Sequence, residues 1–144
     1  MADPADGRQR IPAQGPFEEE IGFTRAIRAG SLIAVSGTVG VEADGSVKED
    51  AGAQADRCFA LTREHIEALG GHMGDVVRIR MFVTDIKDAD AVSAAFSRAL
   101  KTTRPTGTLV AIAGLYDPFT GICLMHIEGF GPGRRAPAGL GFAR

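Results

Sequence analysis

Between residues 23 and 130, the spacing of the apolar residues alternates between the two-residue repeat of strands and the three- to four-residue repeat of helices. The order of these repeats constrains the fold more than any other feature. Residues 23–27 show the two-residue alternation of a half-buried strand, and the apolar run 32–35 predicts a second strand paired with it as a hairpin. From 51 to 69, apolar residues recur every three or four positions, which is typical of an amphipathic helix. Gly70-Gly71 marks its end, because glycine commonly follows a helix C-terminus.

The second half of the chain repeats this change of period. Residues 76–83 (VVRIRMFV) are typical of a strand, and Asp88 or Asp90 can cap a second helix that extends to Leu100. Two further strands are predicted at 106–113 and 122–130. The order β-β-α-β-α-β-β predicts an α+β sandwich, in which a mixed sheet carries two helices on one face.

The alternation within strand 76–83 divides its side chains between the two faces of the sheet. It places Val77, Ile79, Met81 and Val83 on one face, with Val76, Arg78, Arg80, Phe82 and Thr84 on the other. The two later strands are apolar on both faces, whereas two helices can cover only one. A bare second face would exceed the few hundred Å² of apolar patch usual on a monomer. The sequence therefore predicts a homo-oligomer that buries this face between subunits.

Length and composition predict a single folded domain. The chain has 144 residues; 1–16 and 131–144 are polar or rich in Ala, Pro and Gly and predict flexible tails around a domain at 17–130. Cys58 and Cys123 lack a C-x-x-C spacing and are typical of buried thiols. No apolar run approaches the ~20 residues of a membrane helix, and the N-terminus lacks a signal-peptide pattern. We therefore expect a cytoplasmic protein with no membrane contact.

Charge and motif spacing exclude several classes of partner. Sixteen Lys and Arg against eighteen Asp and Glu give a net charge of −2, so binding to nucleic acid is not expected. His65 and His72 flank Gly70-Gly71 without any metal-ligand spacing, and both are predicted to be solvent-exposed, with no metal bound. Nucleotide-binding glycine motifs are absent from the sequence, and Ser36 lacks the first glycine of a nucleophile elbow.

A set of short motifs resembles, in order and spacing, the reactive intermediate deaminase (Rid/YjgF) family. They are residues 22–26 (GFTRA), 35–38 (VSGT), 74–77 (GDVV), 82–85 (FVTD), 104–105 (RP) and 127–128 (IE). The resemblance spans about residues 17–130. It implies a chorismate-mutase-like fold and a homotrimer with three clefts between subunits. It also implies cofactor-free hydrolysis of enamines and imines, released by pyridoxal-phosphate enzymes, to keto acids and ammonia.

Four cleft positions depart from the pattern that the resemblance implies. Gly107 stands where active deaminases carry an arginine that binds the substrate carboxylate, and Leu109 stands where a cysteine is usual. His126 aligns with a carboxylate on the last strand, and Phe23 aligns with a cleft tyrosine. Glycine cannot replace a bidentate guanidinium, so deamination of an amino-acid-derived imine does not follow from the resemblance alone.

The remaining residues can still form a site. Ser36-Gly37 keeps the turn at which a backbone group can meet a ligand. His126 and Glu128 lie two residues apart on one predicted strand, which places them on one face as candidates for acid/base catalysis by an activated water. In the structural alternative, His126 has no catalytic role and is hydrogen-bonded at a subunit interface, with Glu128 as its partner.

Two arginines are candidates for replacing the missing positive charge. Arg25 and Arg80 either bind an anionic ligand or form interface salt bridges. With Phe23, Ser36, Gly37, Gly107 and Leu109 they complete the predicted substrate-binding set. The sequence predicts a divergent hydrolase of a small imine-like metabolite; the alternative is a non-catalytic, ligand-binding or regulatory trimer, and a ribonuclease is a remote third.

Overall fold

The computed structural model describes residues 6–116 and, for the backbone and its pairing, residues 122–130. Within these ranges the chain forms seven strands and three α-helices. In chain order they are β1 (Gln9–Ile11), α1 (Pro16–Ile21), β2 (Ala26–Ala29), β3 (Leu32–Val35), β4 (Thr38–Val39), α2 (Ala51–Ala68), β5 (Val76–Val83), α3 (Ala89–Leu100), β6 (Thr106–Ala111) and β7 (Ile122–Phe130).

The strands form one sheet in the order β1-β2-β3-β7-β5-β6, and β4 also pairs with β7. The β5–β6 pair is parallel, whereas the other pairs are antiparallel. Helices α2 and α3 pack against each other and against one face of this sheet, where they enclose the core. The predicted α+β sandwich, with a mixed sheet and two helices on one face, is therefore confirmed.

Helix α2 begins and ends close to where its periodicity predicts. The Asp50 side chain caps the first turn by accepting a hydrogen bond from the Ala53 amide at 3.0 Å. The predicted apolar stripe is buried, including Cys58, and Gly70 adopts φ 81° just beyond the helix. At Gly71 a Cβ would lie 2.7 Å from Ile33 Cδ1, so a side chain there would collide with the core. No helix among the described residues is long and apolar enough to cross a bilayer.

Strand β5 keeps its predicted alternation except at its first two residues. Ile79, Met81 and Val83 are buried, as predicted, but Val77 is 40% exposed and Val76 is buried instead. The cause is a register shift against β7, where Val76 pairs with Gly129 and Arg78 already pairs with Glu128. One extra residue on β5 inverts the alternation there, as a β-bulge does. The predicted face of Val77 is therefore wrong.

The N-terminal segment contributes more to the fold than its composition indicates. Residues 9–11 form β1, which pairs with β2 at the edge of the sheet, and α1 begins at Pro16. The expected flexible tail over residues 1–16 differs from this structure because residues 9–11 are ordered by backbone pairing, which composition does not report. The predicted tail at 131–144 lies outside the described residues.

On the face of the sheet opposite α2 and α3, the described side chains are not buried. Arg80 and Phe82 of β5 and Thr108 and Val110 of β6 share this face and are half-buried or exposed. Ala34 of β3 lies on the same side and is half-buried. Both polar and apolar side chains of this face therefore stay partly exposed within the described part of the chain.

Candidate functional site

The Ser36-Gly37 turn joins β3 to β4, and hydrogen bonds with Thr24, Arg25 and Thr38 hold it in place. The Ser36 amide donates to the Arg25 carbonyl at 2.9 Å, and the Ser36 hydroxyl donates to the Thr24 carbonyl at 2.5 Å. The Thr38 hydroxyl donates back to the Ser36 carbonyl at 3.0 Å. These bonds fix the backbone of the turn before any ligand arrives, which is the arrangement a positioned binding group requires.

Arg25 lies beside this turn and is bound within its own chain. Its guanidinium donates from Nη2 to the Gly37 carbonyl and from Nη1 to a Glu18 carboxylate oxygen. The Arg25 and Glu18 side chains are only 11% and 16% exposed, and the guanidinium carbon lies 5.7 Å from the centre of the Phe23 ring. The structure therefore pairs Arg25 with residues of the same chain, whereas the sequence predicts a ligand contact or an intersubunit salt bridge.

His65 of α2 faces the same region and is buried, not exposed. It is 6% exposed; its Nε2 lies 3.5 Å from Gln14 Nε2, and its Nδ1 has no hydrogen-bond partner among the described residues. Burial lowers the pKa of His65, and the positive charge of Arg25 lowers it further, against smaller opposing effects of Glu64 and Glu18. The predicted exposure of His65 is wrong because the segment before α1 covers it.

A cavity of about 680 Å³ opens between α1, α2 and the loop that follows β4. Arg25, His65 and Glu64 line it together with apolar side chains such as Phe17 and Leu61. A volume of ~300–1,000 Å³ is typical of small-molecule sites. The described residues contain no group of three or more His, Cys, Asp or Glu that could hold a metal ion.

A glycine allows the wall of this cavity to form. At Gly40, just after β4, a Cβ would lie 2.5 Å from the Gln54 carbonyl oxygen of α2, so only glycine permits this approach of strand and helix. Of the predicted site residues within 6–116, Arg25 lines the cavity. Motif reasoning missed the cavity because its walls come from segments far apart in the sequence, among them Gln14 and Gly15, which composition assigns to a tail.

The predicted residues of β6 lie elsewhere in the single chain. Gly107 is on the helix side, where a Cβ would lie 3.9 Å from both Ile79 Cγ2 and Phe96 Cε2, and Leu109 packs against the core. Strands β7 and β5 separate β6 from β3, which corresponds to about 14 Å. One chain therefore does not bring Gly107 and Leu109 to the Ser36-Gly37 turn.

Arg80 and the two acid/base candidates lie on the central strands. Arg80 pairs in register with Thr108 of β6 and Met125 of β7. His126 and Glu128 lie on β7, where the Glu128 backbone pairs with Ala34 of β3, but their side chains, like that of Cys123, are outside the described residues. A register shift between Arg78 and Arg80 interrupts the alternation in this segment. The shared face of His126 and Glu128 stays a prediction.

Comparison with known proteins places this fold in a family. Residues 15–120 match the model of the family described as Endoribonuclease L-PSP. An uncharacterized protein of Streptomyces coelicolor is 32% identical over 110 residues, which cover 76% of this chain and 82% of that protein. The 2-iminobutanoate/2-iminopropanoate deaminase of Salmonella typhimurium is 32% identical over 97 residues, covering 65% of this chain and 76% of the deaminase.

Solved structures agree with the sequence comparison. A Mycobacterium tuberculosis member of the YjgF/YER057c/UK114 family aligns with TM-score 0.78 and 27% identity, covering 85% of this chain and 98% of its own. The Escherichia coli YjgF gene product aligns with TM-score 0.72 and 25% identity, covering 84% and 93%. The Rid/YjgF resemblance of the short motifs is thereby confirmed, and the chain belongs to the endoribonuclease L-PSP (Rid/YjgF) family.

Proposed function

We propose that this protein is a cofactor-free hydrolase of small imines that works as a homotrimer, with its sites in the clefts between subunits. The observation that carries the proposal is the Ser36-Gly37 turn, which the family motif contains and which is held in place by hydrogen bonds with Thr24, Arg25 and Thr38. The similarity to a deaminase that covers 76% of that enzyme supports the same chemistry.

The face of the sheet opposite α2 and α3 supports the oligomeric part of the proposal. It combines apolar Phe82 and Val110 with Arg80, and none of the three is buried in the single chain. Closing this face against a neighbouring subunit would remove apolar area from water and would bring a second chain's β6 toward the Ser36-Gly37 turn. Sedimentation tests this directly: we expect a trimer, and a monomer at micromolar concentration contradicts the proposed cleft.

The chemistry proposed at His126 and Glu128 is hydrolysis by an activated water. As general base, the pair removes a proton while the water oxygen bonds to the imine carbon, and the imine nitrogen takes up a proton. The tetrahedral carbinolamine then collapses: its carbon–nitrogen bond breaks, the oxygen forms the carbonyl, and ammonia leaves. One imine and one water give one carbonyl compound and one ammonia, without any redox cofactor.

The substrate class follows from Gly107. Contacts of 3.9 Å to Ile79 and Phe96 would leave room for a Cβ, so packing does not require glycine here, and yet the position offers no donor for a carboxylate. Arg25 is already bound to Glu18 and Gly37. We therefore propose imine substrates whose recognition does not require residue 107 to bind a substrate carboxylate. Arg80 is the candidate contact for any anionic group of the substrate.

The deciding experiment measures ammonia release from freshly generated imines, some with and some without a carboxylate. We expect turnover of the uncharged imines, and loss of that turnover in a His126→Ala trimer. Equal turnover of carboxylate-bearing imines would contradict the proposed specificity and assign Arg80 the missing role. Absence of turnover across the panel, from a protein shown to be a trimer, would contradict the enzymatic proposal.

A second candidate function is a non-catalytic trimer that binds a small ligand. The observation in its favour is that Gly107 and Leu109 leave the β6 part of the site without side-chain hydrogen-bonding groups. Calorimetry would then show saturable binding with no product. A ribonuclease remains a remote third proposal, since a net charge of −2 does not favour binding to RNA, and incubation with single-stranded RNA tests it.

A further inference from the structure

We propose that Arg25 and Glu18 act as positioning residues, which hold the peptide group between Gly37 and Thr38 and thereby fix the Ser36-Gly37 turn. The inference rests on the proposed function, because it assigns these residues a part in presenting that turn to a substrate. It differs from direct binding of a ligand by Arg25, because the guanidinium already donates to the Gly37 carbonyl and to Glu18.

The planarity of the peptide group explains how the contacts of Arg25 and Glu18, called the clamp below, act on the turn. A carbonyl and the amide that follows it lie in one plane and point in opposite directions, so holding the carbonyl also aims the amide. Arg25 holds the Gly37 carbonyl and thereby fixes the peptide plane that carries the Thr38 amide, where β4 begins. The Thr38 hydroxyl holds the Ser36 carbonyl and thereby aims the Gly37 amide.

Glycine makes this support necessary. Without a Cβ, Gly37 places few steric limits on rotation of the two peptide planes beside it, so outside contacts must hold them. A turn that is fixed before the substrate binds costs no reorganisation during the reaction, whereas a mobile turn loses part of the rate. Arg25 is the charged group that supplies this contact.

Glu18 holds Arg25 from the other side. One of its carboxylate oxygens accepts from Arg25, and the other accepts from the Gln14 amide at 2.8 Å. Because the pair is largely shielded from water, the Glu18 carboxylate compensates the charge of the guanidinium and holds it in place. Helix α1, which lies outside the turn motif, is thus connected through one side chain to the Ser36-Gly37 turn.

Arg28, three residues further along the chain, is a matched arginine that separates a positioning role from an effect on stability alone. Arg28 of β2 also binds backbone carbonyls: its Nη1 donates to Leu69 at 2.8 Å and its Nε donates to Gly30 at 3.0 Å. Its side chain therefore reaches the end of α2 and not the Ser36-Gly37 turn. Lysine keeps the charge at either position but has one nitrogen and cannot span two partners as the guanidinium fork does. Arg25→Lys and Arg28→Lys therefore remove similar contacts from different places.

The kinetic test compares these variants on an imine that the wild-type trimer hydrolyses. We expect Arg25→Lys to lower kcat about 10-fold or more with little change in KM, and Glu18→Gln to act in the same direction, since losing one held group costs about that much. Arg28→Lys should lower Tm without changing kcat. Equal kcat for Arg25→Lys and the wild type, or equal loss in both lysine variants, would overturn the positioning role.

A second readout keeps the inference testable even when no imine is hydrolysed. Absence of turnover by the wild type contradicts the proposed function, and the clamp is then read from the amide signals of Gly37 and Thr38 by NMR. We expect Arg25→Lys to shift these two signals and to speed their hydrogen exchange, whereas Arg28→Lys leaves them unchanged. Identical spectra at Gly37 and Thr38 in the two variants would overturn the inference.

Discussion

The two ends of the sheet that supply the predicted site residues have opposite chemical characters. At the β2–β4 end, Arg25 and Ser36 take part in a dense set of hydrogen bonds that closes within one chain. At the β6 edge, Gly107 has no side chain and Leu109 packs into the core. The comparison indicates that the turn is supported within its own chain, whereas the side chains of Gly107 and Leu109 offer no hydrogen-bonding group.

The largest expected effect is on stability, through the shielded Arg25–Glu18 pair at the β2–β4 end. Arg25→Ala leaves the shielded Glu18 carboxylate without its cation, and we expect unfolding free energy to fall by about 3 kcal/mol, as for other broken buried pairs. Arg98→Ala is the matched control, because Arg98 and Asp56 are 57% and 50% exposed and such a pair contributes less than ~1 kcal/mol. Urea unfolding measures both, and equal losses would contradict the contrast between shielded and exposed pairs.

The next effect concerns catalysis on β7. His126→Ala is expected to lower imine turnover about 100-fold or more, since a general base contributes roughly that much to the rate. Steady-state ammonia release measures it, and sedimentation of the variant establishes that the trimer persists. A variant trimer with undiminished turnover would place the general base elsewhere and leave the β2–β4 end as the better candidate.

A charge added at the β6 edge tests this difference directly. Gly107→Arg places a guanidinium where the resemblance expects one, and we expect turnover of carboxylate-bearing imines to rise about 10-fold, the effect of one charge-assisted hydrogen-bonded contact. Gly107→Ala is the control for the added Cβ, which contacts of 3.9 Å accommodate. No gain from the arginine, in a variant that remains a folded trimer, would show that Gly107 does not face the substrate.

The smallest effect is the pH dependence contributed by His65. Its pKa in the folded state is lowered from 6.5 by burial and by Arg25, so the unfolded chain binds more protons than the folded chain just below pH 6.5. The contribution to stability is therefore complete above pH 6.5 and is lost as pH falls toward the folded-state pKa, with a slope of at most about 1.4 kcal/mol per pH unit.

Urea unfolding at pH 7.5 and 5.5 measures this slope. His65→Gln keeps a polar side chain without the titration, so we expect its stability to change less between the two pH values than that of the wild type. Glu18, Glu64 and Arg25 surround His65 and stay in both proteins, which cancels their own contribution. The same pH response in both would assign the slope to another group.

Local patterns predicted the long elements well. Helix α2 and strand β5 were each recognisable because many residues repeat one period, and the structure confirms their positions at Ala51–Ala68 and Val76–Val83. The two-residue period does not register a bulge, so Val77 was assigned to the wrong face. Short elements are harder to predict from local patterns. Strand β1 has only three residues, and it forms by pairing with β2, whose residues lie about seventeen positions further along the chain.

The candidate site divides in the same way. The Ser36-Gly37 turn could be predicted because its residues are contiguous and form a motif. The burial of His65 could not, because it depends on where the segment around Gln14 passes over α2. The roles of His126 and Glu128 stay predictions, since their side chains lie outside the described residues.

The amino-acid sequence by itself determined the α+β class, the order of the main elements and the family, because these depend on local periodicity and on residue identity. The tertiary structure alone decided that Arg25 binds Glu18 and the Gly37 carbonyl. The physical reason is that a guanidinium takes whichever acceptors the fold brings within reach in a shielded place, and the strand pairing and the path of α1 set those acceptors.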